Sequence, residues 1–206
     1  MQFTISCEAF SRMAEIGRYP VEDLEHYYKS LYFERRNNQL FMIACNRLIA
    51  AIEHLGFNEG PNEHCCVDVM NDELIKQCDA GTPYNAQLEI ISNDALRYTS
   101  IKTNLGWSAP NTYIHLEKNN KLHEWRDLFP DDMPKKTNGA MNWHAGIIHA
   151  LAVASPSGIL TFPEFIDTTI PIVVNDANSD KWVALFLGVA GDGKATIPAS
   201  IPDWVS

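Results

Sequence analysis

Phe3 and Ile5 alternate with polar partners over Gln2–Ser6, which predicts a short strand. Ser6 stands where a helix needs an N-cap, ahead of Glu8–Gly17, whose apolar face is Phe10, Met13 and Ala14. Pro20 and the acidic Glu22–Glu25 fit a loop or an extra helical turn, and the pattern leaves both open. Two apolar runs, Leu31–Phe33 and Leu40–Ala44, then flank Arg36-Asn37-Asn38-Gln39, where Asn supplies the left-handed backbone of a tight hairpin turn. After a polar break at Asn46-Arg47, Leu48–Leu55 returns as a third strand. The first unit therefore reads strand, helix, three-stranded meander.

The same order recurs with different residues. Beyond Gly56, Gly60 and Pro61, Cys65–Met70 is expected as a strand. Asn71 caps a short helix with Leu74, Ile75 and Cys78 on one face, and Gly81 stops it. Strands follow at Gln87–Ile91, Tyr98–Thr103 and Thr112–Leu116, separated by turn residues at Asn93-Asp94 and Gly106–Pro110. The polar stretch Glu117–Lys136 reads as a connector packed down by Leu122, Trp125, Leu128 and Phe129. A third unit opens at Asn142 with a helix bearing Trp143, Ile147, Ile148 and Leu151, with no clear strand before it. Strands at Ile159–Phe162, Ile170–Val174 and Trp182–Val189 complete it, and Ala190–Ser206 carries no periodicity, although Trp204 is available to dock. The predicted fold class is α+β, built from an internal repeat of strand, helix and three antiparallel strands with helices on one face.

Composition narrows the use of such a fold. At 206 residues and 46% hydrophobic content the chain can bury a sizeable core. The opening MQFTISCEAF has no basic region or long apolar run, so a soluble cytoplasmic protein with no membrane partner is expected. Five cysteines, an odd number, point to reduced thiols, with Cys7, Cys45 and Cys78 among apolar neighbours. A net charge of −10 argues against nucleic-acid binding by the whole surface, leaving only local patches at Arg35-Arg36, Lys118 with Lys121, and Lys135-Lys136.

The residues themselves carry a resemblance. Tyr27-Tyr28, then Leu31-Tyr32-Phe33-Glu34, Leu40 and Asn46-Arg47-Leu48, resemble the middle domain of bacterial beta sliding clamps, with their YYLNG strand, LF-E strand and D-G-H-R-L turn. Leu122-His123-Glu124-Trp125-Arg126-Asp127-Leu128-Phe129-Pro130 is similar to the clamps' F-P-D-Y-R-R-V-L-P signature between domains, and Ala184–Val189 to their last strand and V-V-M-P-M end. The resemblance covers about residues 1–189 and implies the DNA-clamp fold, shortened. Residues 1–116 would form one complete domain of two half-units, 1–56 and 64–116. Residues 117–141 would be the connector, 142–189 a half-domain and 190–206 an irregular tail. Two departures stand out: the turn lacks the family's Gly-His, and Leu-Gly-Val replaces the terminal Met-Pro-Met.

The resemblance implies a protein that performs no bond chemistry and needs no cofactor. It implies a sliding-clamp-like accessory protein of DNA replication or repair, forming a homo-oligomer and docking clamp-binding peptides of replication or repair proteins. The pocket wall carried over is Arg47, Leu48, Pro130, Phe186 and Leu187; the alternative is that these five are interdomain core. Double-stranded DNA would be held weakly, since the candidate DNA-facing cations are only Arg12, Arg18 and Lys76, with His144 and His149 on the third helix. A second reading is a clamp-fold decoy, inhibitor or adaptor that binds replication proteins without encircling DNA. Other constellations are weaker. His64-Cys65-Cys66 with Cys45 or His54 lacks paired metal-ligand spacing, and adjacent cysteines on a strand point to opposite faces, so no metal is expected. Gly188–Gly193 lacks the Lys-Ser/Thr of a phosphate loop, no motif orders a Cys nucleophile, and the acidic Glu124, Asp127, Asp131 and Asp132 read as a solvated connector.

Overall fold

The structure, a computed structural model, describes residues 1–19, 30–46, 48–70, 72–78, 86–93, 98–109, 121–129, 141–142, 145–162, 172–186, 189–190 and 203–205. In chain order these form β1 (Gln2–Ser6), α1 (Cys7–Arg18), β2 (Ser30–Arg36), β3 (Gln39–Cys45), β4 (Ile49–Phe57), β5 (Glu63–Asp68), α2 (Asp72–Cys78), β6 (Gln87–Asn93), β7 (Tyr98–Thr103) and β8 (Ser108–Ala109). A kinked 3-10 segment, Lys121–Leu128, is followed by β9 (Met141–Asn142), α3 (Ala145–Ala154), β10 (Leu160–Thr161), β11 (Ile172–Asp176), β12 (Ser179–Phe186), β13 (Val189–Ala190) and a 3-10 turn at Asp203–Val205.

Local chemistry places these elements. The Ser6 side chain accepts a hydrogen bond from the Ala9 amide at 3.0 Å, and Phe10, Met13 and Ala14 are fully buried along α1. Asn37 and Asn38 both have positive φ, 52° and 60°, the left-handed pair that a two-residue hairpin needs to follow the twist of its strands. In α2, Leu74, Ile75 and Cys78 are buried together. Among the described residues no helix is long and apolar enough to cross a membrane.

The strands assemble in a way the linear pattern does not disclose. β1 leaves the first unit to pair with β6, and β5 leaves the second to pair with β2, so each half lends its leading strand to the other's sheet. One sheet runs β1-β6-β7-β8 and the other β10-β11-β12-β4-β3-β2-β5. The third unit thus extends the first unit's sheet through an antiparallel β4–β12 seam, Trp182 opposite Glu53 and Phe186 opposite Ile49. The seven-stranded sheet is covered on both faces. Leu31, Phe33, Met42, Ala51 and Ala184 pack beneath the helices, whereas Tyr32, Phe41, Ile43, Ile52, Val183 and Leu185 pack beneath the connector. Burial on both sides explains why Leu40–Ala44 and Ile49–Ile52 read as continuous apolar runs rather than alternation.

Several expectations change. The strand expected at Cys65–Met70 runs Glu63–Asp68, because its pairing with β2 begins at Arg35 opposite Glu63. The helix of the third unit does have a strand before it, the two-residue β9, which pairs with β13 of its own unit. Within the strand expected over Trp182–Val189 the structure gives β12 as far as Phe186 and β13 from Val189, and Leu187 and Gly188 lie outside the described residues. In the connector Leu128 is exposed, whereas Trp125 and Phe129 are buried. The segment Pro20–Glu25, Asn71, Gly81 and the strand Thr112–Leu116 lie outside the described residues.

Candidate partner-binding surfaces

The connector is fastened to the sheet by one carboxylate. Glu34 on β2 accepts hydrogen bonds at the same oxygen, Oε2, from Trp125 Nε1 at 2.7 Å and from an Arg126 guanidinium nitrogen at 2.8 Å. The guanidinium lies over the Trp125 ring at 4.0 Å and over Phe41 at 5.1 Å, so charge and stacking act at one point. Trp125 is fully buried and reaches Phe41 and Phe129 at ring separations of 5.6 and 6.3 Å.

At the Ile49–Phe186 end of the seam, Asn46 organises the turn. Its side-chain oxygen accepts from the Leu48 and Ile49 amides at 2.9 and 2.8 Å, while its amide donates to the Ile16 carbonyl at 2.8 Å, tying the turn to the end of α1. Leu48 packs half-buried against the helix-face core, and Phe186, opposite Ile49, meets Phe162 edge-on at 6.4 Å. The fold therefore brings Leu48 and Phe186 to the same end of the seam. Phe186, only 3% exposed, is core packing there, and Arg47, Pro130 and Leu187 lie outside the described residues.

Arg12, expected to be exposed, is held inward. Its guanidinium donates to the Ala154 carbonyl at 2.7 Å, closing the C-terminal end of α3, and pairs with Glu53 at 3.2 Å. Burial pushes the Glu53 carboxyl up, and Arg12 pulls it back. Arg18 is paired with Asp72 at 3.3 Å, Lys76 is exposed on α2, and His149 is exposed on α3. His144 lies outside the described residues, and α3 has no acidic or basic residue in its terminal turns.

No protein-family model and no curated protein matches the chain. Solved structures do. The beta subunit of DNA polymerase III from Thermotoga maritima matches with TM-score 0.64 at 9% identity, over 92% of this chain and 65% of that one. The DNA polymerase sliding clamp from Bacillus subtilis matches at 0.65 and 8%, over 92% and 64%, and that of Pseudomonas aeruginosa at 0.62 and 10%, over 92% and 66%. The chain has the sliding-clamp fold. It spans about two thirds (64–66%) of the length of those clamps, and at 8–10% identity the likeness is one of architecture.

Within the clamp fold Cys7, Cys65, Cys66 and Cys78 are buried and Cys45 is half-buried. Cys65 packs on the helix face and Cys66 on the connector face, as neighbours on a strand must. Burial pushes the Cys45 and Cys65 thiols up to about 12 and raises Cys66 and Cys7, so thiolate is scarce near neutral pH. Among the described residues no three His, Cys, Asp or Glu side chains gather as a metal site. Sequence reasoning passed over Glu34 and Asn46 as organisers. The signal that points to Glu34 is a lone acid inside an apolar strand run, opposite a connector carrying Trp and Arg.

Proposed function

We propose that this chain is a sliding-clamp-like, non-enzymatic accessory protein of DNA replication or repair, acting in the cytoplasm through self-association and docking of short partner peptides. The proposed pocket lies at the Leu48–Phe186 end of the β4–β12 seam, and the clamp likeness adds to it Arg47, Pro130 and Leu187, which lie outside the described residues. The observation that carries the reading is the seam itself, which joins the first and third units into one continuous sheet, with the connector fastened to the β2–β3 part of that sheet by Glu34. Junctions between packed units are where proteins commonly form the apolar clefts with a few polar groups that peptide anchors need. Titration of a fluorescent clamp-binding peptide tests it. Saturable binding lost in Arg47→Glu or Leu187→Asp supports the pocket, and unchanged binding in both rejects it.

The decoy or adaptor reading, in which clamp partners are bound without encircling DNA, is favoured by the occupied Arg12 and by the uncharged terminal turns of α3. With Arg12 engaged inward and Arg18 already paired with Asp72 at the surface, Arg18 and Lys76 are the candidates left for phosphate contact, and so few cations per chain give weak, salt-sensitive binding. Retention on nicked circular DNA, lost when the circle is cut, selects the encircling clamp; peptide binding without DNA retention selects the decoy.

A further inference from the structure

Among the described residues, two segments cover the connector face of the large sheet, and they are held very differently. Over β2 and β3 lies Trp125, fully buried and fixed by the shared Glu34 carboxylate and the stacked Arg126. Over the β3–β4–β12 side lies the short turn Asp203–Val205. Val205 is sunk into the same apolar cluster at 4% exposure, while Trp204 stays half-buried. The Trp204 indole lies against Phe41 at 6.0 Å and His54 at 5.6 Å, both tilted by about 30°, and its N–H donates to the Asp180 carbonyl at 2.6 Å.

The floor beneath Trp204 is built by the sheet. The β3–β4 register steps between Leu40 and Phe41 beside Gly56, whose φ is 102°, and the step sets Phe41 opposite His54. The two rings stack at 5.1 Å, and the His54 Nε2–Gln39 Oε1 contact at 2.8 Å fixes the imidazole. The acceptor at Asp180 lies in β12, at the start of the strand that borders β4. An aromatic floor, one fixed carbonyl for an indole N–H and an adjoining apolar hole for an aliphatic side chain are a two-anchor peptide site. His54 is five strand residues along β4 from Ile49, roughly 16 Å at the usual rise, so this site is distinct from the Leu48–Phe186 end.

We propose that this hollow is a second peptide-binding site, for a segment carrying an aromatic residue with an N–H donor followed by an aliphatic one, and that Trp204–Val205 is its resident, displaceable occupant. A half-exposed indole with one hydrogen bond to a carbonyl is a light hold beside the charge-assisted, fully buried Trp125. Because the resident belongs to the same chain, it binds intramolecularly, and a free peptide competes poorly until the resident is removed. The site does not depend on the clamp-like reading of the seam.

The test uses the full chain, wild type and Trp204→Ala, with a fluorescein-labelled peptide of residues 200–206, SIPDWVS, read by anisotropy. The expected result is saturable binding to Trp204→Ala at least tenfold tighter than to wild type, lost when the peptide's own Trp is replaced by Ala or when His54→Ala is added to the variant. No binding to the folded variant, or equal binding to both chains, overturns the proposal. Hydrogen exchange on the unaltered chain gives an independent reading. Amides of 203–205 are expected to exchange at least a hundredfold faster than those of β3 and β4, and equal protection would make the turn part of the fold rather than an occupant. A wild-type dimer abolished by Trp204→Ala would assign the hollow to a second copy of the chain and likewise overturn the partner peptide.

Discussion

Replacing Glu34 by alanine removes the one oxygen that two connector side chains share. Trp125 Nε1, at 2.7 Å, would lose its acceptor while its ring stays in a fully buried position, and stranding a buried donor costs about 1–3 kcal/mol. Arg126, at 2.8 Å and with a side chain only 17% exposed against 12% for Glu34, would lose a charge-assisted bond, again about 1.5–3 kcal/mol. The two losses overlap, because the connector can lift and rehydrate both groups, so Glu34→Ala is expected to lower unfolding free energy by about 2–4 kcal/mol. Glu34→Gln keeps a carbonyl acceptor for the indole but not the charge, and is expected to cost about 1–2 kcal/mol. Urea denaturation supplies both values, and a Glu34→Ala/Arg126→Ala cycle isolates the pair, with a coupling of at least ~0.5 kcal/mol expected. The signature is local as well: amides of 121–129 should lose protection before those of β3. A Glu34→Ala chain within ~0.5 kcal/mol of wild type, with the connector still protected, would refute the reasoning.

Gly60 has φ +143°, and a Cβ there would stand 2.5 Å from the Arg35 guanidinium carbon, so Gly60→Ala is expected to cost about 1–3 kcal/mol by urea denaturation. That guanidinium cannot simply swing away, since it donates to Pro61 O, Asn58 Oδ1, Glu59 O and Glu63 Oε2. Burial, with Lys181 adding and Asp180 opposing, lowers the His54 pKa below 6.5. Between that folded value and 6.5 the unfolded chain holds a proton that the folded chain does not, so stability is lost as pH falls from 6.5 through the folded pKa. Urea midpoints of wild type should fall across this window, and those of His54→Gln should fall less. The Cys45 and Cys65 thiols should react with a disulfide reagent at pH 8 at least a hundredfold more slowly in the native chain than in denaturant, because burial pushes both up to about 12.

What the sequence discloses here is local. Asn37-Asn38 announced the hairpin because the turn needs two left-handed residues, Ser6 announced α1 because the first amides need an acceptor, and the repeated strand–helix–strand order carried the clamp likeness. The exchange of β1 and β5 between halves was not legible, since either strand pairs equally well by pattern and only the joint packing decides. Arg12 read as a free cation because helix periodicity cannot show that Glu53, 41 residues away in sequence, and the end of α3 converge on it. Trp204 was visible as a residue able to dock, whereas its floor was not, because Phe41 and His54 meet only through a register step.

Self-association is the point at which the clamp-like account is most exposed, since the proposed role rests on several copies of the chain acting together. Light scattering coupled to size exclusion, over a hundredfold range of concentration, measures it directly. The account predicts a discrete species whose mass is an integer multiple of the chain mass and which persists on dilution. A monomer at every concentration would contradict it, leaving the fold in place and the decoy or adaptor role as the reading that survives.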